Sequence, residues 1–347
     1  MKALVAEGPH KAAFRDVELR PIKDNELLIK VKRAGICATD NAIYTGDCMF
    51  VRDGSIVYPC RFGHEWSGVV EKVGKDVKGF APGDRVICDN GVSCGECEAC
   101  REGRYDDCVN VKSVGTVNCW DGCFAEYMIM PVYHVYHIAD SMSFDAAALL
   151  EPISIAYEAF KRTELTKDST VVITGTGAIA MGAVALAKYY GAGQIVCVGR
   201  KEPKLAVAKD MGATHLINNT KCSMPEEVKK ITNGKGADLL IESSGSESCL
   251  IDCIMAAKKG GVVEILAFYE KLINNLPIDH MAFNSIDLHG CAGHYGNAEA
   301  VKKIFETKDY GLEKMITHRV KFDDCLEFFE NNDKYRNEKI KVMIDFD

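Results

Sequence analysis

Val171-Val172-Ile173-Thr174-Gly175-Thr176-Gly177-Ala178-Ile179-Ala180-Met181-Gly182 reads as a strand, a glycine turn and the opening of a helix. Gly175 and Gly177 let the backbone come close to a ligand, and the helix start at Ala178 and Ile179 offers N–H groups to a pyrophosphate. Ala180 stands where a third glycine is usual, a variant tolerated where helix and strand pack closely. A lone G-x-G-x-x-A is weak, but between a strand and a helix in a βαβ series it becomes a dinucleotide fingerprint.

The surrounding chain supplies that series. Thr170–Thr174 is the first strand and 178–190 the helix behind it. A strand over 194–198, a helix over 201–211, a strand over 237–241, a helix over 248–257 and a strand over 262–267 follow. This alternation specifies a doubly wound parallel sheet of the Rossmann type. Towards the end of the chain come a strand near 286–290, helices near 297–307 and 322–331, and a strand at 340–344.

The first 150 residues have another rhythm. Gly and Pro recur between short β-rich runs at 26–32, 67–73, 85–88 and 124–130, which points to a barrel-like or irregular β unit. A helix is expected over 145–163. With 347 residues, 47% hydrophobic and 27% charged, the chain can fill two cores. A net charge of -8 without a basic run speaks against nucleic acid and anionic membranes. The N-terminus shows no secretory pattern, and no apolar run is long enough to span a bilayer, so a cytoplasmic location is expected.

The cofactor can be narrowed at the end of the second strand. An NAD enzyme places Asp or Glu there, about 20 residues past the fingerprint, to hold the ribose 2′-OH. This chain has Gly199, followed by Arg200 and Lys201, with Lys204 in the next helix. Glycine leaves room for a 2′-phosphate and a guanidinium can grip it with two bonds, so NADP(H) is favoured over NAD(H). The competing reading makes Arg200 and Lys201 solvated turn residues and gives the ribose to Glu202.

The chain has 16 cysteines, and in a reducing setting clustered thiols read as metal ligands. Cys94, Cys97, Cys100 and Cys108 form C-x2-C-x2-C-x7-C, with Gly91, Gly95 and Gly103 giving the tight backbone such a loop needs. Zinc is the favoured ion, iron–sulfur ligation the rival. With all positions filled by sulfur the site is closed and structural. Most other cysteines are expected as small buried hydrophobes.

A second set is dispersed: Cys37 in Gly35-Ile36-Cys37-Ala38-Thr39-Asp40, His64 and Glu65 in Phe62-Gly63-His64-Glu65-Trp66-Ser67-Gly68, and Glu151 in Glu151-Pro152-Ile153-Ser154. Spacing alone licenses no site here. In order, however, these segments, with Pro82–Val86, the cysteine lobe and Gly122–Tyr127, resemble the zinc-dependent medium-chain dehydrogenase family over essentially the whole chain. The likeness is strongest to its polyol and sugar branch, which includes sorbitol, galactitol-phosphate, butanediol and threonine dehydrogenases.

The resemblance implies a GroES-like catalytic domain (1–155 and 291–347) and a dinucleotide-binding domain (156–290). It implies two zinc ions per chain, the catalytic one surrounded by Cys37, His64 and Glu65, with Glu151 bound directly or through water. Thr39 would pass the proton outward, and Asp40 would orient His64 or cap a helix. Primary-alcohol enzymes of the family have a second cysteine in place of Glu151, so a secondary alcohol or its ketone is the expected partner. A homodimer or homotetramer is implied in the same way. A threonine- or butanediol-type dehydrogenase and a zinc-free reductase on the same scaffold are the alternatives. Tyr44, Phe50, Arg52, Trp120, Phe268 and His294 are candidate pocket residues, with Arg52 a receptor for phosphate or carboxylate; His134 and His137 read as strand and surface residues.

Overall fold

The structure, a computed structural model, describes residues 1–346. Thr170–Thr174 is buried throughout, and its side chains divide between two cores: Val171 and Ile173 enter one, Val172 the other. A strand covered on both faces has no polar alternation to show, which is why it reads as a continuous apolar run. The six-stranded sheet runs His215–Asn218, Gln194–Gly199, Thr170–Thr174, Ala237–Glu242, Ala257–Ile265 and Asp287–Gly290, with every pairing parallel. The strand order reverses beside Thr170–Thr174, so a crevice opens at the carboxyl ends of the central strands.

The β-rich unit is organised on Glu26–Ile36. This strand pairs antiparallel with Glu65–Val73, Tyr127–Pro131 and Lys341–Asp345. Phe62, Phe124 and Phe329 pack edge-on or tilted in its core. The chain thus leaves this unit, builds the parallel sheet, and returns to complete the first sheet with its last strand. The result is the expected α/β architecture of a β-rich unit and a doubly wound sheet.

Between the two lie helices Leu150–Glu158, Ala178–Tyr189 and Asn297–Phe305. A Cβ on Gly182 would lie 2.9 Å from Ile153 Cγ1, so glycine there permits the close approach of the first two. The single helix expected over 145–163 is instead two, Phe144–Ala148 and Leu150–Glu158. Pro152 explains the break: its ring clashes with a helical carbonyl four residues back, at Ala148. No helix among the described residues is long and apolar enough to cross a membrane.

Candidate active site and metal centres

Cys37 precedes helix Ala38–Thr45, and its backbone N–H donates to Asp40 Oδ2 at 2.8 Å. Asp40 Oδ1 lies 3.3 Å from His64 Nδ1, so the carboxylate both caps the helix and faces the imidazole. Thr39 Oγ1 is 3.7 Å from Cys37 Sγ. The ligand atoms of Cys37, His64 and Glu65 all lie within 4.8 Å of one another. One thiol, one imidazole and one carboxylate suit zinc and leave a position open. Burial alone would pull the His64 imidazole down, but Asp40 and Cys37 outweigh it and raise it well above its ordinary value. That negative field calls for a cation, so the residues fit the metal that the sequence implies.

Glu65 has a partner that the sequence pattern does not show. Lys341 Nζ donates to both carboxylate oxygens, 2.6 Å to Oε1, and to Ile36 O at 3.1 Å. Both side chains are inaccessible to solvent, at 3% and 0% exposure. Gly35 makes the space: a Cβ there would lie 2.1 Å from Glu65 Oε2. Glu151 is also buried, on helix Leu150–Glu158, and its Oε1 accepts from Asn90 Nδ2 at 3.3 Å. It is not within the compact three-donor group, yet it feels it: burial raises its carboxyl to about 7, His64 opposes that rise and Glu65 adds to it.

The four sulfurs of Cys94, Cys97, Cys100 and Cys108 also lie within 4.8 Å of one another. Cys94 and Cys100 Sγ are 3.9 Å apart, matching the roughly 3.8 Å edge of a tetrahedron with 2.3 Å zinc–sulfur bonds. Backbone N–H groups of Glu96 and Cys97 bring the Cys94 thiol down to about 6, favouring the ligating thiolate. The lobe is docked by Tyr105, stacked on Tyr133, and by Asp106, which accepts from the Tyr295 N–H at 2.7 Å.

His134 is not a surface residue: it is 1% exposed, under this lobe, and its Nε2 accepts from Ser93 N–H at 2.9 Å. Burial lowers it from 6.5 to about 4. A depressed histidine binds protons in the unfolded chain first, so its stabilisation is complete above about 6.5 and lost as pH falls through about 4. The difference is of order 3 kcal/mol. His134→Gln keeps an acceptor that cannot protonate. Its unfolding midpoint should therefore fall less steeply than that of the unaltered protein between these pH values; coincident slopes would refute the assignment. His137 is half exposed and pairs with Asp84 at 3.0 Å.

In the crevice, Gly175 has φ +106°, and a Cβ there would meet Ser243 Oγ at 2.7 Å. Around Gly177, at the N-terminus of Ala178–Tyr189, a Cβ would meet nothing within 4 Å. Ala178 and Ile179 form the first turn, and Ala180 is fully buried. At Gly199 a Cβ would lie 2.4 Å from Thr176 Cγ2, so the room expected beside this glycine is taken by Thr176, although no acidic side chain stands there. Glu202 is engaged elsewhere, accepting from Asn218 Nδ2 at 2.6 Å and Lys221 Nζ at 2.7 Å. Glu242, fully buried at the end of its strand, accepts from Ser244 N–H at 2.8 Å and Gly245 N–H at 3.2 Å.

The candidate pocket residues separate. Tyr44 is in the core, and Trp120 donates to Ile129 O at 2.8 Å, so both serve packing. Arg52 is no open receptor: Asp47 and Glu270 both hold its guanidinium. Phe50 meets Phe268 edge-on at 5.4 Å, beside a recess of about 400 Å³ lined by Met49, Arg52 and 267–271. His294 faces Asp106 at 3.6 Å and Glu158 at 3.8 Å.

Comparison with known proteins gives this arrangement its context. The family described as "Alcohol dehydrogenase GroES-like domain" matches residues 23–140, and "Zinc-binding dehydrogenase" matches 178–307. Sorbitol dehydrogenase of Bacillus subtilis is 35% identical, over 99% of this chain and 97% of that protein. D-xylulose reductase of Saccharomyces cerevisiae is 31% identical, over 99% and 97%. An Escherichia coli oxidoreductase of unknown specificity superposes with a TM-score of 0.90 at 25% identity, covering 100% of this chain and 99% of its own. The chain is an oxidoreductase acting on CH–OH groups and belongs to the zinc-dependent medium-chain alcohol dehydrogenase family, in its polyol branch.

Proposed function

We propose that this enzyme moves a hydride between a polyol or sugar-type secondary alcohol and NADP(H), with one zinc held by Cys37, His64 and Glu65. Cys94, Cys97, Cys100 and Cys108 hold a second, structural zinc. The supporting observation is the compact, largely buried set of three unlike donors. When bound, zinc supplies a Lewis acid that lets an alcohol give up its proton near neutral pH. Thr39 receives that proton and hands it outward, while Asp40 fixes the imidazole by facing Nδ1. Glu151, tied to Asn90, completes the site where a second thiolate would favour primary alcohols.

NADP(H) is supported by the lack of an acidic side chain at position 199 and by the engagement of Glu202 with Asn218 and Lys221. The test is a panel of polyols, aldoses, ketoses, their phosphates, L-threonine and 2,3-butanediol with each cofactor, read as absorbance of the reduced nicotinamide. Secondary polyols should react well ahead of ethanol, and limiting NADP⁺ should support faster turnover than limiting NAD⁺. The reverse order would remove the NADP(H) assignment, and preference for ethanol the substrate class.

A further inference from the structure

Glu242 ends strand Ala237–Glu242 with its side chain wholly buried, and among the described residues no cation pairs with it. A buried carboxylate without a counter-ion has to be held by hydrogen-bond donors. Five converge on it. Thr174 Oγ1 at 3.2 Å, the Ser244 N–H at 2.8 Å and the Ser244 hydroxyl donate to Oε1. The Gly245 N–H at 3.2 Å and the Tyr269 hydroxyl at 2.5 Å donate to Oε2. Burial and then this bond raise the Tyr269 hydroxyl well above its ordinary value, so it remains a donor.

These donors belong to three segments with different surroundings. Thr174 leads directly into the Gly175 turn, and Ser243 Oγ donates to Thr174 O at 2.7 Å, so loop 243–245 lies against the fingerprint. Residues 244–248 line a recess of about 640 Å³ together with Arg200. Tyr269 belongs to the segment after strand Ala257–Ile265 and packs on a core of the parallel sheet. Its neighbours face the other unit: Phe268 meets Phe50 edge-on at 5.4 Å, and Glu270 holds Arg52. Phe50 packs in turn on the core of the β-rich unit. One carboxylate therefore fastens the fingerprint strand, the loop beside it and the wall on which the β-rich unit rests.

We propose that Glu242 is a positioning residue for hydride transfer. Fully enclosed, it touches neither coenzyme nor alcohol. Through the N–H groups of Ser244 and Gly245 it sets the coenzyme loop, and through the Tyr269 hydroxyl it sets the wall at 268–270 against the unit that carries the metal donors. The alignment of the two carbons that exchange the hydride then depends on this buried anion, and a misplacement of about 1 Å can cost roughly a hundredfold in rate. The inference rests on the reading of the chain as a nicotinamide-linked dehydrogenase and holds for NAD(H) and NADP(H) alike.

The experiment compares the full-length, metal-loaded enzyme with Tyr269→Phe, Glu242→Gln and the two combined. Binding of NADPH and of NADH is read from coenzyme fluorescence. Turnover is read with the ketose or ketone reduced fastest in the panel above, using reduced coenzyme with and without deuterium at the transferred position. Tyr269→Phe keeps the ring and its packing, so coenzyme binding should stay within about twofold while kcat falls about tenfold. Deuterium should slow this variant at least as much as the unaltered enzyme, which places the loss in hydride transfer. An amide cannot accept on both sides, so Glu242→Gln should in addition weaken the preferred coenzyme by about fivefold or more. The combined variant should turn over like Glu242→Gln alone, because the hydroxyl acts only through the carboxylate. An unchanged kcat in Tyr269→Phe overturns the role even if the melting temperature drops, since a purely structural bond moves stability alone. A lowered kcat with a smaller isotope effect also overturns it, and so do losses that multiply in the combined variant. Should Glu242→Gln not fold, Tyr269→Phe decides alone. If no alcohol or ketone of the panel reacts with the unaltered enzyme, the dehydrogenase reading falls and this inference with it.

Discussion

Cys37→Ser is expected to remove one of two metal equivalents per chain and to lower turnover by about three orders of magnitude, with the fold intact. The thiol is one of only three donors in the compact set, and a serine hydroxyl stays protonated near neutral pH, leaving imidazole and carboxylate to hold the ion. Lewis-acid stabilisation is worth several kcal/mol, and 1.36 kcal/mol is tenfold in rate, which gives the roughly thousandfold figure. The fold has little stake in the sulfur. What Cys37 contributes to helix Ala38–Thr45 is chiefly its backbone N–H, bound to Asp40 Oδ2 at 2.8 Å, and serine keeps it. Plasma emission on the purified protein gives the metal count and a cofactor-saturated assay gives turnover. Cys97→Ser should contrast, losing the other equivalent and falling first in stability. Two equivalents and turnover within tenfold of normal in Cys37→Ser would show that the ion sits elsewhere.

The features that could be read from the chain alone are those built from neighbours. Gly175 and Gly177 act within one turn, and Cys94 to Cys108 close one loop, so composition and spacing carry both. His134 was obscured by a change of phase. Strict alternation through Tyr133-His134-Val135-Tyr136-His137 assumes one strand, but Val132–His134 is a 3₁₀ turn and the strand begins at Val135. Pro152 shows a local signal with a local consequence, a helix divided in two, which the apolar pattern across 145–163 concealed. Lys341 had no signal at all. It is set under Glu65 by sheet register, Val342 opposite Ile36 and Gly35 opposite Glu65, which unites residues 276 positions apart.

That register makes Lys341→Met the substitution with the largest expected cost to stability, about 3–5 kcal/mol in metal-free protein. Methionine fills much of the volume of the lysine stem, so the loss is electrostatic. Glu65 at 0% exposure would keep a negative charge in an apolar setting, without the ammonium that now donates to both its oxygens. Burial pulls the Lys341 ammonium down, but Glu65 and then Cys37 raise it above its ordinary value, which is the same attraction seen from the other partner. Lys341→Met/Glu65→Gln removes both charges and should recover most of the loss, because the cost lies in the unpaired ion and not in the missing lysine. Metal loading should also soften the single variant, since a divalent cation beside Cys37 and His64 provides Glu65 with a new counter-charge. Urea unfolding in chelator and in zinc, for the two variants and the unaltered chain, separates these effects. A loss below about 1 kcal/mol for Lys341→Met in chelator would mean that the carboxylate finds water or another cation. In that case Lys341 is not what allows a carboxylate to wait, charged and buried, beside the open metal position.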